Sequence, residues 1–468
     1  MFTAEARRAA WSDRWLWIIL GIALFWRVLP MILWWTTDCV RDECIYRSMA
    51  VHIAEGGGMR ETLRGWLPAP GYPYLLAVPK VLFGSTQSVK ALQVIVSLIS
   101  TVLLYHLGTR VFSRQVGRVA ALLFAINPTI AWFTNTLWIE TVYTFLLLLA
   151  VVLTFEVRDR DNLWWAAGLG FCMGLAVLFR GVATYLPPFF VLALLLPESE
   201  SGMPPLSAWV ASLRVHAKKL GVYALVWAVT IAPYSIAASN LHGGFMLTDA
   251  TTGHVLYLGN NDYAPITFDY GIGMLNEGIF SRTIRTGRPP CDRDLPAVQT
   301  SRCEVKRVRK WIAEHPNVFV ERIPVRVAQF FNPNSFLTRH VRWGRFRGIP
   351  WLAKEFLCGW IVLTTLALTL GGTLAAWGRA RGPYLYMAGG TAIYTVAVTA
   401  LMYGMTRFRL PVEALWCVYL AVLLAEPRET WRALTQSPVR LAGALLTLPA
   451  LLVFCVWYLP TGFPMFWR

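Results

Sequence analysis

Two adjacent carboxylates, Asp42 and Glu43, follow closely after an apolar segment of the chain. Carboxylates so near a lipid surface are costly unless they pair, stay hydrated or perform chemistry. One interpretation is structural: the pair caps a helix, and Glu43 binds Arg47 one turn further on. The other is that a carboxylate beside a membrane cavity removes a proton from an acceptor hydroxyl or amine. The local spacing favours neither interpretation over the other.

The residues after the acidic pair indicate the element that positions it. Apolar side chains recur at helical spacing, which predicts an amphipathic helix lying along a membrane surface. These side chains are Tyr46, Met49, Ala50 and Ile53. The run Gly56–Gly58 is predicted to end this helix, and residues 71–83 are predicted to form a second interfacial helix.

The composition of the whole chain indicates a membrane protein. Its 468 residues are 56% hydrophobic and only 15% charged, and a soluble protein of this length would carry more charge. Repeated apolar runs of about 17–25 residues suit transmembrane helices, and they lack the alternation of barrel strands. Eleven spans are predicted, near 15–35, 89–107, 117–134, 137–155, 163–179, 182–197, 219–238, 353–376, 384–403, 409–425 and 440–459.

The distribution of basic residues predicts the orientation. The short connections on one side of the predicted spans contain 16 Lys and Arg, and those on the other side about two. The positive-inside rule therefore places the N-terminus in the cytoplasm and segments 36–88 and 239–352 outside. The net charge of +17 is attributed to these connections and to anionic membrane lipids, not to nucleic acid. The predicted location is a bacterial inner (plasma) membrane.

Three regions are predicted along the chain. Residues 1–238 form a transmembrane catalytic module that includes the loop 36–88, residues 239–352 an extracytoplasmic insert, and residues 353–468 the last transmembrane helices. Within the insert, residues 248–258 have a strand-like or loop character, and residues 303–314 show the periodicity of a helix.

Several short motifs in a fixed order resemble a known family. After a span that contains Arg27 come Asp-Glu-x-x-Tyr at 42–46 and Pro-Gly-Tyr-Pro at 70–73. Later come Leu-Tyr-Leu-Gly-Asn-Asn at 256–261, His-Pro at 315–316 and Arg-Phe-Arg-Leu-Pro at 407–411. Over residues 15–425 this order resembles the family 39 glycosyltransferases. That family includes protein mannosyltransferases and the aminoarabinose transferases that modify lipid A.

The resemblance implies an all-α, C-type glycosyltransferase fold with its active site on the extracytoplasmic face. It also implies a polyprenyl-phosphate-linked sugar as donor and an extracytoplasmic acceptor, which is a lipid, a protein or a glycan. Asp42 takes the role of general base or acceptor-positioning group, with Glu43 beside it. The anomeric carbon is attacked in line, with inversion, and the lipid phosphate leaves.

A departing phosphate needs fixed positive charge, preferably from arginine. Arg180, Arg407 and Arg409 are predicted at the outer boundary, where they either bind phosphate or extend to lipid headgroups. Arg27 lies inside the first span and is either functional or part of a structural ion pair. Glu140 opens a span at the outer face, in a region where the family places an acidic residue. The other predicted substrate-binding residues are Tyr46, Tyr72, Asn260 and Asn261.

The chain departs from the aminoarabinose transferases in the first loop. Their Glu-Lys-Pro-Pro segment corresponds here to Leu-Pro-Ala-Pro at 67–70, which lacks the lysine that would approach phosphate. Arg64 is the predicted substitute. Two cysteine pairs, Cys39–Cys44 and Cys291–Cys303, are able to bridge in an oxidising compartment, and the second pair is favoured because it would close a loop in a long insert.

No metal site is predicted, because the histidines show no metal-binding spacing. Divalent-metal assistance at Asp42 and Glu43 stays a less favoured alternative, so no cofactor is expected. A second functional class is a lipid-linked sugar transporter, or flippase. Transporters have related halves and interrupted helices at the midplane, and the sequence shows neither. A lipid-sugar-binding scaffold is the third class, and it gives Asp42 and Glu43 no role.

Overall fold

The computed structural model describes residues 11–34, 39, 42–59, 67–197, 204–262, 291, 295–333, 336–342, 348–380 and 382–456. These residues form helices and no strand, as the composition predicts. The first eleven helices are α1 Arg14–Leu33, α2 Asp42–Ala54, α3 Gly71–Phe83, α4 Val89–Val111, α5 Arg114–Ile126, α6 Pro128–Phe133, α7 Glu140–Asp159, α8 Leu163–Phe179, α9 Pro187–Leu195, α10 Leu206–Leu241 and α11 Thr252–Gly259. The remaining helices are α12 Ala297–Glu314, α13 Pro316–Phe331, α14 Phe336–Arg342, α15 Trp351–Leu366, α16 Gly372–Arg379, α17 Gly382–Leu401, α18 Leu410–Ala425, α19 Pro427–Thr435 and α20 Pro438–Val456.

Eight segments within the described ranges are long and apolar enough to cross a membrane, and each coincides with a predicted span. They are Arg14–Leu33, Thr86–Val111, Glu140–Asp159, Leu206–Leu241, Trp351–Arg379, Gly382–Leu401, Thr406–Ala425 and Pro438–Val456. The other three predicted spans correspond to shorter helices. The span 117–134 is divided between α5 and α6, and the spans 163–179 and 182–197 coincide with α8 and α9. The number of eleven spans therefore stays a prediction.

Burial separates central from peripheral helices. Most residues of α4, α7 and α18 are buried inside the protein, whereas few residues of α1, α10 and α20 are buried. The exposed side chains of the peripheral helices are largely apolar, as Phe25, Leu225 and Leu446 illustrate. An apolar exterior around a polar-containing centre is typical of helices that face lipid.

Small residues bring α8 and α10 together. A Cβ at Gly170 would lie 2.5 Å from the carbonyl oxygen of Tyr223, and one at Gly174 would lie 2.7 Å from the side chain of Thr230. Two glycines four residues apart therefore allow close backbone contact, which stabilises helix pairs in lipid through van der Waals packing. This pair fixes α8, whose C-terminal end supplies Arg180 to the site described below.

The two helices predicted around the acidic pair are present. Helix α2 begins at Asp42, and the chain then turns at Gly56, which has a φ of +89°. Helix α3 spans the predicted 71–83 and ends at Gly84, where a φ of +70° suits glycine. The two helices pack against each other and join the main hydrophobic core through Ala50, Tyr72 and Leu76.

The prediction of a strand or loop over residues 248–258 is wrong for most of that segment. Residues 252–259 form α11. This helix packs against α12, and the backbone amide of Gly253 donates to Oγ of Ser301 over 3.0 Å. A Cβ on Gly253 would lie 2.2 Å from the carbonyl oxygen of Ser301, so this tertiary contact overrides the local preference of the β-branched and aromatic residues. The predicted helix over 303–314 is present within α12.

Buried arginines fasten the insert to the end of α17. The guanidinium of Arg326, on α13, donates to the carbonyl oxygens of Ala400 and Gly259 and to Oδ1 of Asn260, over 2.6–2.9 Å. Burial lowers the pKa of Arg326 to about 10, which leaves it charged at neutral pH. Hydrogen bonds from a charged donor are strong in such a dry site, so α11, α13 and α17 are held together next to the cavity.

Candidate active site

A cavity of about 1250 Å³ lies where α2, the start of α7, the end of α8, the insert and α17 meet. It is larger than most small-ligand pockets. Both apolar and polar side chains line it. The polar and aromatic members include Asp42, Tyr46, Glu140, Tyr143, Arg180, Tyr185, Thr248, Asp249, His254, Tyr394, Thr399, Tyr403, Arg407 and Phe408.

Asp42 stands at the edge of this cavity as the first residue of α2. Its Oδ2 accepts a hydrogen bond from Nη2 of Arg407, and its side chain retains 25% of its exposure. A disulfide between Cys39 and Cys44 brackets it, with 5.0 Å between the two Cα atoms. Asp42 is thus held by a cross-linked turn and an ion pair while one side of its carboxylate stays accessible.

Glu43 faces away from the cavity. It is 1% exposed, and its Oε1 accepts a hydrogen bond from the backbone amide of Leu137 over 2.8 Å. Buried polar groups of this kind are structural when their partners are backbone atoms. The structure therefore separates the two neighbours: Asp42 lines the cavity, whereas Glu43 connects α2 to the turn that precedes α7.

Two arginines share one buried carboxylate on the cavity wall. Oε1 of Glu140 lies 3.8 Å from Nη1 of Arg180 and 3.7 Å from Nε of Arg407. The Phe408 ring lies 4.9 Å from the guanidinium carbon of Arg180 and 5.8 Å from that of Arg407, within reach of a cation–π interaction. Oε2 of Glu140 is buried and makes no hydrogen bond to any described residue.

Tyr46 and Tyr72 lie side by side with different surroundings. Their rings meet edge to face at 5.3 Å between centroids. Tyr46 lines the cavity, and burial together with the Asp42 carboxylate raises the pKa of its hydroxyl above the ordinary value. The hydroxyl of Tyr72 instead donates to Oε1 of Gln93 over 3.0 Å, away from the cavity. The neutral hydroxyl of Tyr46 therefore belongs to the cavity wall, whereas that of Tyr72 connects helices.

Two predicted arginines do not line the cavity. Arg27 is fully buried and donates to Ser97 Oγ and to backbone carbonyls, including that of Ala125. Arg409 donates to the Glu413 carboxylate over 2.6 Å and to the carbonyl oxygen of Phe330. The donors of both residues are used within the fold, so both connect helices.

Asn260 and Asn261 also lie outside the cavity lining. Nδ2 of Asn260 donates to carbonyl oxygens of Leu256 and Leu401, and Nδ2 of Asn261 donates to that of Tyr257. Both side chains therefore fix the end of α11. The proposed substitute for the missing lysine, Arg64, lies outside the described residues.

The structure adds cavity residues that the sequence did not single out. Asp249 and His254 come from the insert, Tyr394 from α17, and Tyr403 from the segment that follows it. A signal was available for α17, because Thr391, Tyr394, Thr395, Val398 and Thr399 recur at helical spacing. No local signal marked Asp249, because its position depends on how the insert packs on the bundle.

The two cysteine pairs form disulfides, with Cα–Cα distances of 5.0 Å for Cys39–Cys44 and 6.2 Å for Cys291–Cys303. The remaining described cysteines are buried and form no disulfide. Within the described ranges, no three His, Cys, Asp or Glu residues are grouped so as to hold a metal ion. The chemical groups that line the cavity include carboxylates, guanidinium groups, hydroxyls and the imidazole of His254.

Comparison of the fold with solved structures finds distant likenesses that cover most of this chain. The apo oligosaccharyltransferase of Archaeoglobus fulgidus is 14% identical with a TM-score of 0.49, and the alignment covers 96% of this chain and 55% of that one. The chain thus spans about half the length of that protein. The ArnT protein of Cupriavidus metallidurans, solved with undecaprenyl phosphate, is 13% identical with a TM-score of 0.43, over 92% of this chain and 89% of that one.

Comparison with curated protein sequences finds no significant match. A family model does match: residues 68–227 fit that of the dolichyl-phosphate-mannose-protein mannosyltransferases. The matched region contains Glu140 and Arg180, whereas Asp42 and Arg407 lie on either side of it. This match agrees with the family that the motifs predict. The chain is a multi-pass integral membrane protein, and its residues 68–227 are similar to the dolichyl-phosphate-mannose-protein mannosyltransferases.

Proposed function

We propose that this protein is an inverting glycosyltransferase of the C-type fold that moves a sugar from a polyprenyl-phosphate donor to an acceptor on the extracytoplasmic face. One observation supports this proposal most directly. A carboxylate, Asp42, and two guanidinium groups, those of Arg180 and Arg407, line the same cavity. The transfer needs one base for the acceptor and fixed positive charge for the leaving phosphate.

Arg180 and Arg407 are suited to hold the phosphate. Both contact Phe408 and Glu140, which fix their guanidinium groups before any ligand arrives. Preorganised donors stabilise developing negative charge without reorganising during the reaction. Guanidinium groups also bind phosphate oxygens in a bidentate manner. The apolar part of the cavity wall, with Leu147, Val398 and Met402, suits the first isoprene units of the donor.

Asp42 is suited to act on the acceptor. Its carboxylate is paired with Arg407. A phosphate oxygen bound to Arg407 would compete for the same Nη2 donor and release Oδ2 of Asp42 toward the acceptor. Binding of the donor would thereby activate the base at the moment it is needed.

The acceptor oxygen or nitrogen attacks the anomeric carbon, and the bond from that carbon to the phosphate oxygen breaks. The acceptor proton moves to Asp42, and the electron pair of the broken bond leaves with polyprenyl phosphate. Attack in line with the leaving group inverts the anomeric configuration. Arg180 and Arg407 compensate the charge that develops on the phosphate.

The test uses Asp42→Asn in a strain that lacks the wild-type gene. The variant keeps the size of the side chain but cannot accept the proton, so transfer slows by about 10²–10⁴-fold. Mass spectrometry of membrane lipids is expected to show accumulation of polyprenyl-phosphate sugar, which the wild-type gene reverses. Glu314→Gln is the matched control, because Glu314 is an exposed carboxylate of the insert that does not line the cavity.

Two outcomes would contradict the proposal at different levels. If Asp42→Asn restores donor consumption as fully as the wild type, Asp42 is not the base. If lipids copurified with the wild-type protein include no polyprenyl-phosphate sugar and the deletion strain accumulates none, the donor class is wrong. Transport of the lipid-linked sugar without consumption would instead favour the flippase alternative.

A further inference from the structure

We propose that Asp249, with Thr248 beside it, forms the subsite that binds hydroxyl groups of the donor sugar and so selects which sugar is transferred. This inference depends on the proposed function and extends it to the recognition of the sugar. Both residues belong to the part of the cavity wall that the insert supplies, and neither lies in a motif identified from the sequence.

The two carboxylate oxygens of Asp249 have different surroundings. Oδ1 accepts hydrogen bonds from the backbone amide of Thr251 over 3.0 Å and from its hydroxyl over 2.6 Å. These bonds hold the turn that leads into α11, so Oδ1 has a structural role. Among the described residues, Oδ2 accepts only a long hydrogen bond of 3.5 Å, from the hydroxyl of Thr248. The structural role of Asp249 therefore leaves Oδ2 free to accept hydrogen bonds from a ligand.

Gly181 sets where Oδ2 lies. A Cβ at Gly181 would be only 1.6 Å from Oδ2 of Asp249 and 3.3 Å from Oγ1 of Thr248. The carboxylate therefore rests directly against a backbone position that any side chain would occupy. Gly181 follows Arg180, so the insert carboxylate is placed one residue along the chain from a proposed phosphate-binding group.

A row of charged groups of alternating sign leads from Arg180 to Asp42, the proposed base. Arg180 lies next to Glu140, Glu140 next to Arg407, and Arg407 is paired with Asp42. If Arg180 and Arg407 hold the phosphate, the sugar attached to that phosphate occupies the same cavity. Its hydroxyl groups then lie within reach of the walls that flank the two arginines, and Asp249 is on the wall next to Arg180.

The chemistry of this wall suits a neutral polyol. A carboxylate oxygen accepts hydrogen bonds from sugar hydroxyls, and a threonine hydroxyl both donates and accepts. On α17, the hydroxyl of Thr399 also lines the cavity, is buried and makes no hydrogen bond to any described residue. A buried polar group without a partner costs free energy, and a sugar hydroxyl in the cavity would provide the partner.

The test measures the affinities of the wild type and the Asp249→Asn variant for two lipids, with the full-length protein in lipid nanodiscs. Asparagine keeps an Oδ1 that accepts from Thr251, so the turn is preserved, but it replaces Oδ2 with a donor. We expect affinity for a polyprenyl-phosphate hexose to fall by about tenfold or more, since a site built to bind a hydroxyl discriminates strongly. Affinity for polyprenyl phosphate without a sugar is expected to stay within twofold of the wild type. Gly181→Ala, which displaces Oδ2, is expected to behave in the same way.

The outcomes separate this inference from the proposed function. If the variant binds both lipids equally more weakly, Asp249 only supports the fold. If its affinity for neither lipid changes, Asp249 does not contact the sugar. Either result overturns the inference while leaving the glycosyltransferase assignment intact. If the wild-type protein itself binds neither lipid, the proposed function fails, and the sugar subsite fails with it. A hexose panel in which Asp249→Asn changes the preferred sugar would support the inference most directly.

Discussion

At the scale of single residues, the side chain of Arg407 connects the two acidic groups of the cavity. Its Nη2 binds Asp42, and its Nε lies 3.7 Å from Glu140. These contacts use two edges of one planar group. Lysine provides the same charge from a single nitrogen and cannot reproduce that geometry.

Replacing Arg407 by lysine should therefore impair transfer even though the positive charge is kept. We expect Arg407→Lys to reduce the initial rate of donor consumption by about 10²-fold, the scale of losing one preorganised donor to developing charge. Arg309→Lys is the control, since Arg309 is an exposed arginine of α12. A variant that keeps more than half of the wild-type rate would show that positive charge alone is sufficient at this position.

At the scale of elements, two different contacts fix the start of α2. The disulfide Cys39–Cys44 closes the turn around Asp42, and the carboxylate of Glu43 accepts the Leu137 amide. The short loop of this disulfide restricts the unfolded chain little, so its expected role is to hold Asp42. The second disulfide, Cys291–Cys303, joins residues of the insert and does not bracket a cavity residue.

The two disulfides should thus respond differently to removal. We expect Cys39→Ser with Cys44→Ser to lower the maximal rate about tenfold while the thermal unfolding temperature changes by only a few degrees. Cys291→Ser with Cys303→Ser is expected to act mainly on stability, by about 2–4 kcal/mol. Parallel measurements of rate and thermal unfolding in detergent distinguish the two. An unchanged rate in the first double variant would exclude a positioning role for Cys39–Cys44.

Some elements and site residues were predictable from sequence, for physical reasons. Helices α2 and α3 were delimited by local signals, namely helical spacing and the glycines at 56 and 84. The motifs singled out Asp42 and Arg407, the family resemblance pointed to Glu140, and the need for positive charge at the outer boundary pointed to Arg180. The fold brings these four to one cavity.

Other features depend on contacts that no local pattern encodes. An arginine in an apolar helix has the same sequence signature whether it binds phosphate or backbone carbonyls, and Arg27 does the latter. Residues 252–258 have strand-like composition, yet packing on α12 makes them helical. Asp249 reaches the cavity from the insert, whose helices α11 and α13 are joined to α17 through Arg326. These features depend on contacts between residues far apart in the chain, which local sequence patterns do not predict.

At the scale of the whole molecule, Asp13 holds three helices together at one end of the bundle. It caps α1 by accepting from the Trp15 amide, and it accepts from the hydroxyl of Tyr105 on α4. Arg118 on α5 donates to both of its oxygens over 2.8 and 3.0 Å. Burial alone would raise the pKa of Asp13, but the hydrogen bonds from Arg118, Tyr105 and Trp15 outweigh it and lower the pKa to about 2.

This contact should make stability depend on pH in a defined direction. Because the folded pKa of about 2 lies below the ordinary value of 3.8, the ionised carboxylate stabilises the fold above pH 4, and this contribution is lost as the pH falls toward 2. We expect Asp13→Asn to unfold several degrees below the wild type at pH 7, since it leaves Arg118 without its partner. The difference should shrink as the pH is lowered from 5 to 3. Thermal unfolding across this range, with Glu314→Gln as control, measures it, and a difference that is constant with pH would show that Asp13 acts through packing and not through its charge.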